Sequence, residues 1–278
     1  LAEAGPGGVP DFMVLYGTGE VPWWWEPFRY AWFALPATIL LPMAVAGLLG
    51  SAIFRRGVKG AYFAILSQAM AAAMALLLIG NQATTGGTNG LTNFSSIFGF
   101  DPDDPVNRQT IYLVVAGVLI VVMVGVRQLY RSRFGELLVA VRDSEDRVRF
   151  LGYIPANVKV AAYMLGAGLA GLAGALYVPT VGIISPALIG VLASLEFVVG
   201  VAIGGRATLL GPVIGTVAVA AAKTSLSEQF PSGWVYFQAG LFILVLLFLP
   251  GGIASLFTMS KQAMAGTDDD LSQPRRLR

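Results

Sequence analysis

The sequence predicts an all-α, polytopic transmembrane helix bundle, and three observations carry that prediction. Apolar residues make up 56 % of the 278-residue chain and charged residues only 12 %, against about 45–50 % and about 25 % in soluble domains. Seven apolar runs are long enough, or nearly so, to cross a bilayer core of roughly 30 Å as helices of about 20 residues. Lys and Arg fall almost entirely in alternate connections between those runs. The same balance excludes a disordered chain, a nucleic-acid-binding module and an ordinary cytosolic enzyme. There is no histidine and no cysteine, which removes the commonest general base, disulfides, thiolate nucleophiles and the commonest metal ligands. The expected protein is a membrane protein with almost no chemistry of its own. It has no catalytic residue, cofactor or metal, and its surroundings are membrane lipid.

Residues 1–29 carry Glu3, Asp11, Glu20 and Glu26 and no Lys or Arg before Arg29. A secretory signal needs a basic start ahead of an apolar core, so this stretch reads as an external loop. Trp23, Trp24 and Trp25 sit where the membrane interface begins, a position tryptophan favours. The apolar runs follow at about 30–54, 60–80, 110–128, 158–178, 188–204, 208–223 and 234–257. The fifth and sixth are short and meet at Gly204-Gly205-Arg206. Full spans are expected there, with a re-entrant pair as the alternative. Residues 258–278, with Asp268-Asp269-Asp270 and Pro274, read as a disordered cytoplasmic tail.

Basic residues stay cytoplasmic. Fifteen of the 18 Lys and Arg lie in the first, third and fifth connections and the tail; only Arg29, Arg108 and Lys223 lie opposite. The N-terminal stretch and the even-numbered connections are therefore expected outside.

The largest basic connection, about 129–158, holds Phe134, Leu137, Leu138, Val141, Val148 and Leu151 at helical spacing. Asp143 with Arg147 and Glu145 with Arg149 make oppositely charged pairs four apart. One amphipathic helix, or two short ones, is expected to end near Gly152. It either joins two spans or docks a cytosolic partner. Gly166-Ala-Gly-Leu-Ala-Gly171 has the spacing of a dinucleotide fingerprint, but no strand precedes it. With Ala167, Ala170, Gly174 and Ala175 it reads as small-residue helix packing.

The stretch Thr84-Thr-Gly-Gly-Thr-Asn-Gly-Leu-Thr-Asn93 lies beyond the second run. It is either a plain external turn or a mouth whose Thr88 and Asn89 meet a small polar solute. Glu196 is an acid near the middle of an apolar run, where a charge costs at least about 2.5–3.5 kcal/mol and seeks partners. It reads as an interhelical brace or as a pathway or proton-linked group. Gln68 and Gln238, also within runs, invite the same two readings.

Several stretches together carry a resemblance. They are Ser132-Arg-Phe-Gly135, Val141-Arg-Asp-Ser-Glu145, Leu151-Gly152, Lys159 and Ala170-Gly-Leu-Ala-Gly-Ala-Leu-Tyr177, then Gly204-Gly-Arg-Ala-Thr-Leu-Leu-Gly-Pro212 and Leu249-Pro-Gly-Gly-Ile253. The chain resembles, over about 55–257, the membrane permeases of branched-chain amino-acid-type ABC importers. Arg206, Ala222-Lys-Thr-Ser225, Phe230-Pro-Ser-Gly-Trp-Val-Tyr-Phe237 and Arg142-Asp-Ser-Glu-Asp-Arg-Val-Arg-Phe-Leu-Gly-Tyr153 are most similar to the urea-type subunit. The resemblance implies a multi-pass protein of the bacterial inner membrane. It also implies a second permease subunit, cytosolic ATPases and an external solute-binding protein as partners. It makes the connection before Gly152 the loop that couples to an ATPase, with Glu145 and Gly152 at marker positions and Phe134, Leu138, Val141 and Arg142 on the contact. Asp146-Arg147 replaces the small pair usual there. Family members begin with further spans, so the chain is expected to be N-terminally incomplete.

The leading expectation is a permease importing urea or a related short amide by alternating access. The same machine carrying branched-chain amino acids is the alternative, and a stand-alone proton-coupled transporter or channel is a third. A zwitterion calls for charged partners along its path. The scarcity of intramembrane charge leans toward urea. Gln68, Thr88, Asn89 and Glu196 are the candidate pathway residues.

Overall fold

The computed structural model describes residues 13, 21–58, 60–91, 104–205, 208–229 and 233–248. Its regular secondary structure among those residues is all helical, apart from one isolated antiparallel bridge between Leu91 and Ile184. The chain divides into two compact units, Leu1–Gly190 and Val191–Arg278. The expected tail, Arg206, the Phe230–Ser232 stretch and the Leu249–Ile253 signature lie outside the described residues, as does most of the N-terminal stretch.

In the first unit, α1 (Ala31–Arg55), α2 (Ala61–Gly80), α3 (Pro105–Tyr130) and α6 (Pro155–Val181) are each long and apolar enough to cross a membrane. Between α3 and α6 lie two short helices, α4 (Arg133–Asp143) and α5 (Glu145–Phe150). Helix α3 starts at Pro105, whose missing N–H is no loss at that position, and Asp104 caps it by accepting from the Val106 N–H at 3.1 Å.

α1 and α6 run antiparallel in close contact, and glycine makes that possible. A Cβ on Gly171 would strike the Thr38 carbonyl oxygen, and one on Gly168 would meet Met43. Gly47 and Gly50 receive Met164 and Tyr163 from the other side of the seam. The small-residue reading of α6 therefore holds for Gly168 and Gly171. It fails for Gly166 and Gly174, which meet nothing within 4 Å. Phe54, Phe63 and Tyr163 close one end of α1, α2 and α6 with ring centroids 5.5–6.2 Å apart. α2 and α3 contribute no buried residue, which leaves their apolar sides for lipid or another chain.

In the second unit, α7 (Val191–Gly204), α8 (Leu210–Gln229) and α9 (Trp234–Phe248) follow. Of the seven expected spans, the described residues hold four of full length, while Ala193–Gly204 and Leu210–Leu226 are shorter apolar stretches. The 14 residues of α7 reach only about 21 Å at 1.5 Å per residue, because Gly205 (φ 95°) ends the helix with a backbone that glycine adopts freely. α7 and α8 form an antiparallel pair closer still than the first. Gly204 faces the Gly211 carbonyl and Gly215 faces the Gly200 carbonyl, so no side chain fits between. Val199 and Val219 are buried beyond that seam, with Ile203, Ala222, Leu226 and Leu241 packed on them.

Candidate functional site

The basic connection folds as two helices, not one. Ser144 breaks the run with an extended backbone (φ −161°, ψ 104°), and its hydroxyl accepts from the Arg147 N–H at 3.5 Å to start α5. Gly152 (φ 85°) ends α5. Its N–H bonds the Arg149 carbonyl at 2.9 Å and the Tyr153 N–H bonds Val148 at 3.3 Å, the paired bonds of a left-handed helix stop. Gly152 thus acts through its backbone.

The apolar stripe of this segment turns inward on its own chain. Val141 and Val148 are only 6 % and 2 % exposed and pack with Val158 of α6, with Phe134, Leu137, Leu138 and Ala140 against them. Val141 therefore has almost no free surface in the isolated chain, and Phe134 and Leu138 are half-buried. Arg142 is exposed and pairs with its neighbour Asp143 at 3.0 Å.

The helical ion pairs expected four residues apart are not the ones formed. Arg149 meets Asp146 at 3.7 Å, and Glu145 meets Lys159 of α6 at 2.5 Å with both side chains largely covered. Glu145, a marker position of the expected coupling loop, ties α5 to the first turns of α6. Arg55 at the end of α1 reaches Asn157 at 3.4 Å. Outside this knot, Phe150 is 92 % exposed, and Leu151, Tyr153 and Ile154 are exposed beside it.

The loop beyond α2 is ordered by its own bonds. A single helical turn, Gln82–Thr85, and a 3-10 turn, Gly87–Asn89, lead to Leu91, whose N–H and carbonyl pair with Ile184 at 2.8 and 3.0 Å. The Thr85 hydroxyl donates to the Leu78 carbonyl at 2.5 Å. Thr88 and Asn89 sit exposed at the tip, and Asn93 lies outside the described residues. Gln68 is exposed mid-way along α2. Twelve residues separate it from the helix end at Gly80, about 18 Å, so it does not share a site with the tip.

In the second unit, the Lys223 ammonium donates to Glu196 Oε1 at 2.6 Å across the α7–α8 pair. The charge count alone places Lys223 in an external connection, whereas it lies within α8. Its place in α8 makes it the partner that Glu196 requires in apolar surroundings. Gln238 of α9 is 5 % exposed, the buried polar side chain of the described residues. No cluster of three His, Cys, Asp or Glu side chains suited to a metal occurs among those residues.

Apolar helices of spanning length with a folded basic connection define an integral membrane protein. Residues 7–249 match the family model described as branched-chain amino acid transport system / permease component, and the chain belongs to that family. It is 27 % identical over 248 residues to the high-affinity branched-chain amino acid transport system permease proteins LivM of Salmonella typhimurium and of Escherichia coli, covering 80 % of this chain and 57 % of each relative. It is also 29 % identical over 159 residues to the permease protein BraD of Pseudomonas aeruginosa, described in the same terms, covering 56 % of this chain and 52 % of that one. The chain thus spans little more than half the length of these curated relatives. No solved structure matches it at a significant level.

Proposed function

We propose that the chain is a permease subunit of an ATP-driven ABC importer for branched-chain amino acids. It would work in a bacterial inner membrane with a second permease, cytosolic ATPases and an external solute-binding protein. The observation that supports the solute class is the match to the branched-chain family along nearly the whole chain. The urea reading leaned on a scarcity of intramembrane charge, and the opposed charges of Glu196 and Lys223 remove that footing.

In this reading the α4–α5 segment is the cytoplasmic coupling element. The stripe of Phe134, Leu138 and Val141 anchors it to α6, and Glu145–Lys159 locks the joint. The surface it offers to an ATPase is then the exposed elbow of Phe150, Leu151, Tyr153 and Ile154, together with the exposed Arg142 at the end of α4. A push on the elbow passes through α6 to α1, because the glycine seam leaves those two helices no slack.

The test is uptake by the complete transporter in proteoliposomes. ATP-dependent uptake of leucine, isoleucine and valine is expected, with urea at least tenfold slower. ATP-dependent urea uptake without leucine uptake restores the urea reading. Uptake driven by a proton gradient without ATP favours the stand-alone transporter.

A further inference from the structure

We infer that Glu196 and Lys223 form a head-group site for a zwitterion, in which the Lys223 ammonium receives the solute's carboxylate and the Glu196 carboxylate receives its ammonium. The inference rests on the amino-acid reading above and assigns that solute a place in the membrane. Four observations lead to it.

The two side chains meet at 2.6 Å where the apolar stretch of α7 faces the point at which α8 turns from an alanine run to the polar Lys223-Thr-Ser225. Their contact engages one carboxylate oxygen and one of three ammonium N–H directions, so each head keeps bonding capacity for a second partner of opposite sign. The pair is also open: 27 % of the Glu196 side chain and 45 % of the Lys223 side chain remain exposed. A brace that only joined two helices would gain from being sealed, since water weakens the attraction.

The third observation is register. The glycine seam pairs Gly204 with Gly211 and Gly200 with Gly215, which fixes the α7–α8 alignment. Lys223 lies one turn beyond Val219, and helical side chains lean toward their own N-terminus. Its ammonium therefore reaches back along α8 toward Glu196. The alignment is set by backbone contact, so the charges are held in place whether or not they touch each other.

The fourth is Gln238. Leu241 of α9 packs on the Val199–Val219 cluster. Gln238 lies one turn from Leu241 toward the α8–α9 connection, the direction in which Glu196 lies from Val199 and Lys223 from Val219. A buried amide that can donate and accept thus stands on the level of the charge pair. Under the proposed topology this level faces the outer side, where a binding protein releases its solute. The pair is neutral as a whole. It matches a neutral zwitterion at both ends, whereas a simple cation or anion would leave one of the two opposed.

The experiment uses the complete transporter in proteoliposomes, with the subunit at full length and labelled leucine as probe. Leucine uptake, ATP hydrolysis stimulated by leucine-loaded binding protein, and the thermal midpoint are measured together. Glu196→Gln and Lys223→Gln are each expected to cut uptake per assembled complex at least tenfold, and Lys223→Gln also to lower the midpoint, because it leaves the Glu196 charge unpaired. The double variant Glu196→Leu/Lys223→Leu, which repairs a brace with apolar packing, is expected to stay at least tenfold down in uptake. Wild-type uptake in either single variant overturns the site. So does recovery of uptake and midpoint in the double variant, which would leave only a brace. A wild-type complex that takes up no leucine overturns the amino-acid reading itself, a failure visible before any variant is made.

Discussion

Each unit contains one pair of antiparallel helices pressed together on glycine, and the two pairs differ in what lies beside the seam. Along α1–α6 the glycines receive Met43, Met164, Tyr163 and backbone, with no ion pair between the two helices among the described contacts. Along α7–α8 the glycines face carbonyl oxygens, and one end of the pair carries Glu196 against Lys223. The first seam suits a strut, because its one described side-chain hydrogen bond, Arg55 to Asn157, lies at the helix ends and no ion pair lies along it. The second brings opposite charges together beside the apolar α7, where an unpaired Glu196 would cost free energy unless it served Lys223 or a ligand. Close packing by small residues is thus a shared device, and the side chains around it separate a mechanical pair from one that can recognise a solute.

The sharpest way to break the first region without touching the second is Val148→Asp. It places an unpaired carboxylate in the Val141–Val158 cluster and should cost about 3–5 kcal/mol. The α4–α5 segment is then expected to detach from α6, read as new protease cleavage between 131 and 154 while α7–α9 stay protected. Equal loss of protection in both units would show that they do not fold separately.

Next come the seams themselves. Gly171→Leu and Gly204→Leu each force backbones apart and should cost about 1–3 kcal/mol or slightly more, seen as a lower thermal midpoint in detergent. Gly166→Leu and Gly174→Leu, which face open space, are the controls and should leave the midpoint nearly unchanged. A drop in the controls as large as at Gly171 would contradict the assigned seam.

A smaller effect is expected at the joint between α5 and α6. Glu145→Gln keeps a hydrogen bond to Lys159 but loses the charge attraction. About 1 kcal/mol of stability should go, together with part of the stimulated ATP hydrolysis. Phe150→Ala should change stability least, within about 0.5 kcal/mol, since the ring touches little of this chain. Its expected effect is on ATPase affinity in the assembled transporter, measured by co-purification. Unchanged affinity would remove Phe150 from the coupling surface.

Much of the helix pattern was legible in the residues. The second run, expected at 60–80, is Ala61–Gly80, and the last begins at Trp234 as expected. Membrane insertion depends on the summed transfer of consecutive side chains, which is a local property. The two-helix form of the basic connection was within the reading, and Ser144 as its break could have been suspected from its capping chemistry. The ion pairs were not legible. Glu145 pairs 14 residues away with Lys159, and Glu196 pairs 27 residues away with Lys223. Local periodicity offered Arg149 and no partner at all.

From the sequence alone came the class of the protein, its apolar helices and the lack of histidine and cysteine chemistry, because each depends on composition and short-range spacing. Only the tertiary structure decided which glycines form seams, which way the α4–α5 stripe faces and which charges meet. Those outcomes depend on how one helix is rotated and shifted against another. A rotation of one residue, about 100°, would turn Gly171 away from α1 or Lys223 away from Glu196, with no change in the hydropathy of either run.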